Sequence, residues 1–246
     1  MLSPDQLTDF RRTGHLTAIG LLDDTQIPEA LDDIEVWSRQ FLAELNDDRK
    51  SWYLEGSDSE RPVLRKLDNP VFHRDVFRQM AQNRRLVSVV EQLIGPGVSV
   101  FFSQVFCKPP EVGGPKPMHQ DNFYFGPDDP EATLTVWIAL DTATVENGCL
   151  YYGNGTHTGP ILPHFAPESE PFNLQIPADA TAGIKMTAAP VPRGGISFHH
   201  GNTLHQSSAN TSAHARRAVA FHYLRNDARL VSPALPYDSS LNVRIT

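Results

Sequence analysis

A histidine and an aspartate stand one residue apart in the stretch MHQDNFYFG, residues 118–126. If residues 117–122 form an extended strand, alternate side chains project from one face, so His119 and Asp121 converge while Gln120 faces away. Two histidines and one carboxylate, with the remaining coordination positions open, form the facial triad of non-haem Fe(II) oxygenases. A structural zinc site takes four protein ligands instead. The pair therefore predicts two of three metal ligands, and a second histidine must come from elsewhere.

The candidates for that histidine all follow the pair in the chain: His157, His164, His199, His200, His205, His214 and His222. His205 lies in the short extended stretch TLHQSS, and Ser207 shares its face. Arg216 follows His205 by eleven residues, where a planar guanidinium can hold a carboxylate through two parallel hydrogen bonds. His199 and His200 are more typical of structural histidines, although one of them is the main rival of His205. The order and spacing together, rather than any one residue, indicate a metal site.

Composition limits the classes of protein that this chain can be. The chain has 246 residues, a formal net charge of -8 and two cysteines, Cys107 and Cys149. The acidic balance argues against nucleic-acid and membrane partners, since both favour a basic face. Two isolated cysteines form neither a disulfide framework nor a zinc ribbon, and no signal peptide or transmembrane run is evident. We expect a cytoplasmic protein with a small-molecule substrate; no motif bears on the oligomeric state.

The basic residues are denser between 61 and 85 than elsewhere, with Arg61, Arg65, Lys66 and Arg74 among them. We interpret this stretch as a solvated helical face, and a patch for an acidic substrate is the alternative.

The elements that must position these residues change in character near residue 97. Before it, SPDQ has the form of a capping box, and apolar residues recur at helical spacing from Ile27 to Leu45. Asn69-Pro70 opens a further helical region with a break near Asn83. After it come four short stretches rich in β-branched and aromatic residues: 98–106, 132–140, 195–200 and 216–224. The pattern predicts a mainly β protein with N-terminal helices, built as a sandwich or jelly-roll barrel.

We expect one domain over 1–246, with a helical part at about 1–96 and a jelly-roll core at about 97–230. The segment 153–193 is polar and rich in proline and glycine, so we predict a long loop insertion there.

Six stretches of the sequence resemble one family. They are LIGPGV, CKPP, MHQDNFYF, VWIALD, ENGCLYYGNGTHTG and LHQSSANTSAHARRA. Together they resemble the phytanoyl-CoA dioxygenase family of Fe(II)/2-oxoglutarate-dependent oxygenases, from about Leu93 to Tyr223. The resemblance implies a double-stranded β-helix, the cupin-like jelly roll.

The resemblance also implies roles for particular residues. It places iron on His119, Asp121 and His205. It places the distal carboxylate of 2-oxoglutarate on Arg216, with Ser207 as the hydroxyl that assists.

Three further residues are implied to lie near the cosubstrate. Trp137 and Lys108 match family positions, and ordinary core packing is the alternative for Trp137. Gln104 is added because it shares strand parity with Lys108.

Two departures from relatives bear on the reaction. Relatives that halogenate lack the carboxylate, whereas Asp121 is present here, which favours oxygen insertion or a related oxidation over halogenation. The stretch YYGNGTH replaces the PGSH or PGTH of many members, near Tyr152.

The implied activity is hydroxylation of a small metabolite with Fe(II), 2-oxoglutarate and O₂, releasing succinate and CO₂. Phe123, Tyr124 and Phe125 flank the metal pair and are expected to line the substrate pocket. The alternatives are a cupin-like metal-dependent isomerase or hydrolase, and a non-catalytic barrel that binds a small molecule.

Overall fold

The computed structural model describes residues 1–23, 25–55, 63–168 and 173–246. Within these ranges, most of the helical residues precede the strands that form the barrel. The α-helices are α1 Pro4–Thr13, α2 Gln26–Glu44, α3 Lys50–Tyr53, α4 Pro70–His73, α5 Asp75–Ala81, α6 Arg84–Ile94 and α7 Asp121–Phe125.

The strands begin between the helices and continue to the end of the chain. They are β1 His15–Ala18, β2 Leu54–Glu55, β3 Val63–Leu64, β4 Lys66–Asp68, β5 Val98–Lys108, β6 Lys116–His119, β7 Thr133–Ala139, β8 Leu150–Gly153, β9 Met186–Ala189, β10 Ile196–His200, β11 His205–Ser207, β12 Arg216–Arg225 and β13 Val243–Arg244.

Two antiparallel sheets form the barrel. Among the described residues, the larger has the order β1-β10-β7-β12-β5-β13, with β4 also paired to β5, and the smaller has the order β6-β11-β8-β9. The sheets pack through a cluster that includes Trp137 and Ala220 from the larger sheet and Tyr152 from the smaller. This is the predicted jelly-roll fold, with the helices against the outer face of the larger sheet.

Strand β12 shows how the sequence divides the two faces. Val219, Phe221 and Tyr223 belong to the core that the helices share, whereas Ala220 and the residues of its parity turn toward the other sheet. Because successive strand side chains alternate, Arg216 and His222 lie on that inner face too, and both line its cavity. Alanines between these two polar residues leave space inside the barrel.

The helical predictions are confirmed. Ser3 and Gln6 form a capping box at α1. The apolar face of α2 buries Ile27, Leu31 and its neighbours, and Asn83 caps α6 after the predicted break. A further break at Arg74 separates α4 from α5.

The segment 153–193 is more structured than predicted. Of its described residues, Met186–Ala189 forms β9 and pairs with β8, extending the smaller sheet. The prediction of a loop was therefore wrong for this strand. Its sequence, MTAA, has two alanines, and because alanine has low β propensity this stretch shows no sign of a strand.

The basic stretch is also only partly a helical face. Lys66 lies in β4 and, like Arg65, lines the barrel cavity, while Arg74 pairs with Asp33. Arg61 lies outside the described residues. Across the described ranges, none of the helices has the length and apolar character needed to span a membrane.

Candidate metal centre and its cavity

Strand pairing brings the two predicted histidines together. His119 ends β6 and His205 begins β11, and the two are direct partners in the antiparallel register. Their ring centroids lie 4.1 Å apart. Asp121 Oδ1 lies 3.6 Å from Nε2 of each histidine, and all three side chains are buried. The three ligand atoms lie within 4.8 Å of one another, as donors around one metal ion do.

The local geometry differs from the predicted strand. The strand stops at His119, Gln120 stays extended, and Asp121 is the first residue of α7. Gln120 does turn away from the pair, but into the interior, where its Nε2 donates to the carbonyl of Asn202 at 2.8 Å. Asp121 therefore points toward the histidines because the chain turns into α7, and not because side chains alternate along a strand.

Each ligand histidine is oriented by a backbone carbonyl two residues before it. Nδ1 of His119 donates to Pro117 O at 2.8 Å, and Nδ1 of His205 donates to Thr203 O at 2.9 Å. With the proton on Nδ1, the lone pair is on Nε2, the atom that faces Asp121. Burial lowers the pKa of both imidazoles, which keeps them neutral and available as ligands. The donor set therefore fits a divalent transition metal.

Hydrogen bonds hold one oxygen of the Asp121 carboxylate, Oδ2, and leave Oδ1 facing the two histidines, where a metal would bind. Asp121 Oδ2 accepts from Thr135 Oγ1 at 2.5 Å and from His199 Nε2 at 3.0 Å. His199 is fixed in turn by Tyr152, whose hydroxyl lies 3.0 Å from its Nδ1. Burial alone raises the pKa of Asp121, but His205, His199 and His222 together hold it well below its usual range. The carboxylate is thus ionised.

Arg216 lies in the same cavity as the metal ligands, and its guanidinium is available. It is 3% exposed and lies 5.4 Å from the ring centroid of Trp137. Within the described part of the chain its Nε has no hydrogen-bond partner. Ser207 is also buried and lines the cavity. A buried guanidinium without a partner is costly, so this site suits an anion.

Lys108 and Gln104 line the cavity as well, and each donates hydrogen bonds to other parts of the protein. Lys108 Nζ donates to the carbonyls of Gly114 and Ser208 at 2.5 and 2.6 Å. Burial and the nearby Arg216 lower its pKa to about 7. Gln104 Nε2 donates to Asp68 Oδ1 at 2.7 Å.

The three aromatic residues of α7 separate. Tyr124 and Phe125 are among the residues that line the cavity. Phe123 is not among them: its ring stacks on His164 with centroids 4.0 Å apart.

The cavity has a volume of about 1110 Å³ and draws on more of the chain than the sequence indicated. Trp37 and Tyr53 reach it from the helical part, and Tyr237 reaches it from beyond residue 230. Thr135 was not expected at the site, and His222 was expected only as one of the candidates for the second histidine ligand. Strand parity offers a signal for His222, because it lies six residues from Arg216 and so on the same face.

The fold and site define the chain as a jelly-roll protein with a candidate two-histidine, one-carboxylate metal centre. The family model for phytanoyl-CoA dioxygenase (PhyH) matches residues 10–218, and the chain belongs to this family.

Two curated relatives show the range of similarity. A protein of Stutzerimonas stutzeri, described as a probable alpha-ketoglutarate-dependent hypophosphite dioxygenase, is 24% identical over 231 residues, covering 91% of this chain and 79% of that protein. Phytanoyl-CoA dioxygenase domain-containing protein 1 of Mus musculus is 32% identical over 165 residues, covering 65% of this chain and 57% of that protein. The matched parts are 45% to 58% of the length of the relatives named as phytanoyl-CoA dioxygenases or their domain-containing proteins.

Solved structures share the fold. The carbocyclase SnoK from nogalamycin biosynthesis has a TM-score of 0.77 at 23% identity, covering 100% of this chain and 97% of that chain. The epimerase SnoN, in complex with Fe3+, alpha ketoglutarate and nogalamycin RO, has a TM-score of 0.74 at 22% identity, covering 94% and 86%. EctD from S. alaskensis, with 2-oxoglutarate and 5-hydroxyectoine, has a TM-score of 0.73 at 19% identity, covering 94% and 79%.

Proposed function

We propose that this protein is an Fe(II)- and 2-oxoglutarate-dependent dioxygenase that hydroxylates a small molecule. The observation that carries the proposal is one cavity that holds both a candidate three-ligand metal centre and a buried guanidinium whose Nε has no hydrogen-bond partner among the described residues. Three protein ligands leave positions for a chelating cosubstrate and for O₂. The names of the Stutzerimonas protein and of SnoN, which mention alpha-ketoglutarate, support the choice of cosubstrate.

In this proposal Fe(II) is held by Nε2 of His119, Nε2 of His205 and Oδ1 of Asp121. Bound iron supplies oxidative decarboxylation of 2-oxoglutarate to succinate and CO₂, coupled to oxidation of the substrate. Arg216 binds the distal carboxylate of the cosubstrate, and Trp137 beside it excludes water from that ion pair. Ser207 offers a hydroxyl to the same carboxylate.

Lys108 has a different role from the one the resemblance implies. Because its ammonium already donates to two carbonyls, we propose that it holds the wall beside Arg216 and does not itself contact the cosubstrate.

The helical part and the barrel act as one unit in this proposal. Trp37 and Tyr53 line the same cavity as the metal ligands, so the helices before residue 97 complete the substrate site. A barrel without them has an open wall.

The reaction assay is succinate release with Fe(II), 2-oxoglutarate and O₂, screened over a metabolite library. We expect succinate to depend on all three and to rise when a substrate is present. Activity with Zn²⁺ or Mn²⁺ and without 2-oxoglutarate indicates the alternative, a cupin-like isomerase or hydrolase. Metal binding without any turnover indicates a binding barrel.

Product analysis tests the hydroxylation itself. SnoN and SnoK are described as an epimerase and a carbocyclase, so the fold accommodates other outcomes. A product heavier by one oxygen atom, labelled from ¹⁸O₂, supports hydroxylation. A product of unchanged mass indicates epimerisation, and loss of two hydrogens indicates ring closure or desaturation.

A further inference from the structure

His222 stands behind the metal centre, and hydrogen-bond counting fixes which of its nitrogens carries a proton. Asp121, as an ionised carboxylate, can only accept, so the single hydrogen of Thr135 Oγ1 goes to Asp121 Oδ2 at 2.5 Å. Thr135 Oγ1 lies 2.9 Å from His222 Nδ1 and has only its lone pairs left for it. His222 therefore donates from Nδ1, and in the neutral ring Nε2 carries the lone pair.

That lone pair is directed to the cavity. His222 is 6% exposed and lines the cavity, and no hydrogen bond within the described ranges uses its Nε2. His199, on the other side of Asp121, provides the contrast, because Asp121 and Tyr152 occupy both of its nitrogens. Of these two buried imidazoles, His222 alone keeps an acceptor for a ligand.

Aromatic rings surround this acceptor. The ring of Phe102 stacks on His222 at a centroid distance of 5.6 Å and an interplanar angle of 21°, and Phe125 lies 4.8 Å away. Both phenylalanines line the cavity too. The candidate metal ligands are close, since His222 Nδ1 lies 3.8 Å from Asp121 Oδ2. The site thus offers one hydrogen-bond acceptor in an apolar frame beside the metal.

We propose that His222 binds the substrate through Nε2, and that the substrate is an alcohol or amine whose O–H or N–H is attached to an apolar or aromatic body. This deepens the proposed function and rests on it, because the same cavity must hold the metal and the cosubstrate. The donor group is positioned next to the metal by a residue that is itself tied, through Thr135, to the metal-binding carboxylate. A molecule of the same shape without a donor leaves the buried Nε2 unpaired and binds less well.

Two substitutions separate substrate binding from support of Thr135. The amide of His222→Asn reaches about as far as Nδ1, so it retains the bond to Thr135 and removes the acceptor in the cavity. The longer side chain of His222→Gln carries its amide to the position of Nε2, so it retains a polar atom there. His222→Phe removes both, in a size that suits the surrounding rings. The exposed His214 supplies the matched control, His214→Gln.

The test measures binding directly, with Mn(II) and 2-oxoglutarate bound to the full chain. The probes are benzyl alcohol with its methyl ether, and aniline with N,N-dimethylaniline, an amine pair that stays unprotonated at neutral pH. Paramagnetic relaxation of the probe protons reports binding near the metal, and relaxation of water protons reports that each variant holds Mn(II). In wild type, His222→Gln and His214→Gln we expect the donor-bearing probe to show about three- to tenfold more relaxation than its methylated partner. In His222→Asn and His222→Phe we expect a ratio near one.

Equal relaxation for both members of each pair in wild type overturns the proposal, as does a preference that persists in His222→Asn and His222→Phe. A preference confined to the alcohol pair or to the amine pair supports it and selects the substrate class. Because this measurement needs neither O₂ nor turnover, its failure is distinct from a failure of succinate release, which concerns the proposed reaction.

Discussion

The two ends of the cavity use polar side chains in opposite ways. At the metal end, which comprises His119, Asp121, His205 and Arg216, hydrogen bonds fix the three candidate metal ligands on the side away from one another. Within the described ranges, Nε of Arg216 has no hydrogen-bond partner. At the outer wall, polar residues satisfy one another. That outer cluster comprises Arg49, Tyr53, Lys66, Asp68 and Gln104.

The outer cluster is closed around one carboxylate. Asp68 accepts from Tyr53 at 2.9 Å, from Lys66 at 3.1 Å and from Gln104 at 2.7 Å. Tyr53 in turn accepts from Arg49 at 2.9 Å. Burial and charge alone therefore do not mark a reactive site. In the described part of the chain, the metal end differs from the outer cluster in having a buried polar atom, Nε of Arg216, without a protein partner. Five experiments test this difference.

The largest effect is expected at the metal end, for Asp121→Ala. Removal of the carboxylate takes one of three ligands, so succinate formation should fall below detection and Fe(II) affinity should drop. Succinate is measured by mass spectrometry and Fe(II) binding by calorimetry. Asp128→Ala, at an exposed position, is the control. Full turnover in Asp121→Ala removes this residue from the metal centre.

Arg216→Ala should raise the apparent KM for 2-oxoglutarate by about tenfold to a hundredfold, because it removes charged hydrogen bonds to the cosubstrate. The requirement for Fe(II) should change little. The apparent KM of Arg216→Lys should lie between those of wild type and Arg216→Ala, since lysine keeps the positive charge but cannot form two parallel hydrogen bonds to a carboxylate. Arg217→Ala, which breaks the pair with Asp141, is the matched control. Equal changes in the needs for iron and cosubstrate indicate a structural role.

Thr135→Val tests the support behind Asp121. The isosteric change removes the donor to Oδ2, and we expect metal affinity to fall about 10- to 100-fold. Tyr152→Phe acts one hydrogen bond further away, through His199, and should have a smaller effect. Metal titration of both variants gives the order, and the reverse order contradicts the proposed support.

The pH dependence of the metal-free protein should also separate the two ends. Burial lowers the pKa of His199 and His222 to about 4. Between about 6.5 and 4 the unfolded chain binds more protons than the folded one, so the free energy of unfolding falls as pH falls, by on the order of 1–3 kcal/mol per imidazole. Burial and Asp68 raise the pKa of Tyr53 to about 12, so the outer cluster loses stability only as pH rises above 10.

Denaturant titration across both pH ranges measures this difference. The acid dependence should weaken in His222→Phe and the alkaline dependence in Tyr53→Phe. An unchanged acid slope in His222→Phe contradicts the assignment.

The smallest effect is expected for Asp68→Asn. It weakens the outer cluster, and we expect a loss of about 1 kcal/mol in unfolding free energy, since the pair with Lys66 is partly solvated. Succinate formation should stay within about threefold of wild type, because no free atom is removed. A thermal melt and the succinate assay check both. A loss of turnover as large as that of Arg216→Ala contradicts the comparison.

The sequence alone determined several helix ends and strands, because these features depend on residues that are close together in the chain. The capping box at Ser3, the helix break at Asn83 and the β character of 216–224 depend on neighbours in the chain, and all three are confirmed. The spacing of His119 and Asp121 predicted a pair of ligands, and the family resemblance selected His205 and Arg216. The structure places all four residues in one cavity.

The tertiary structure decided what depends on contacts between distant segments. Sequence does not show that Thr135 and His199 share one oxygen of Asp121, or that Gln104 turns to Asp68, because these bonds join residues from different strands. Nor does it show that β9 pairs with β8, since its alanines carry no strong β signal. A side chain's type is written in the sequence, but which of its atoms remain unpaired is set only when the sheets close around it.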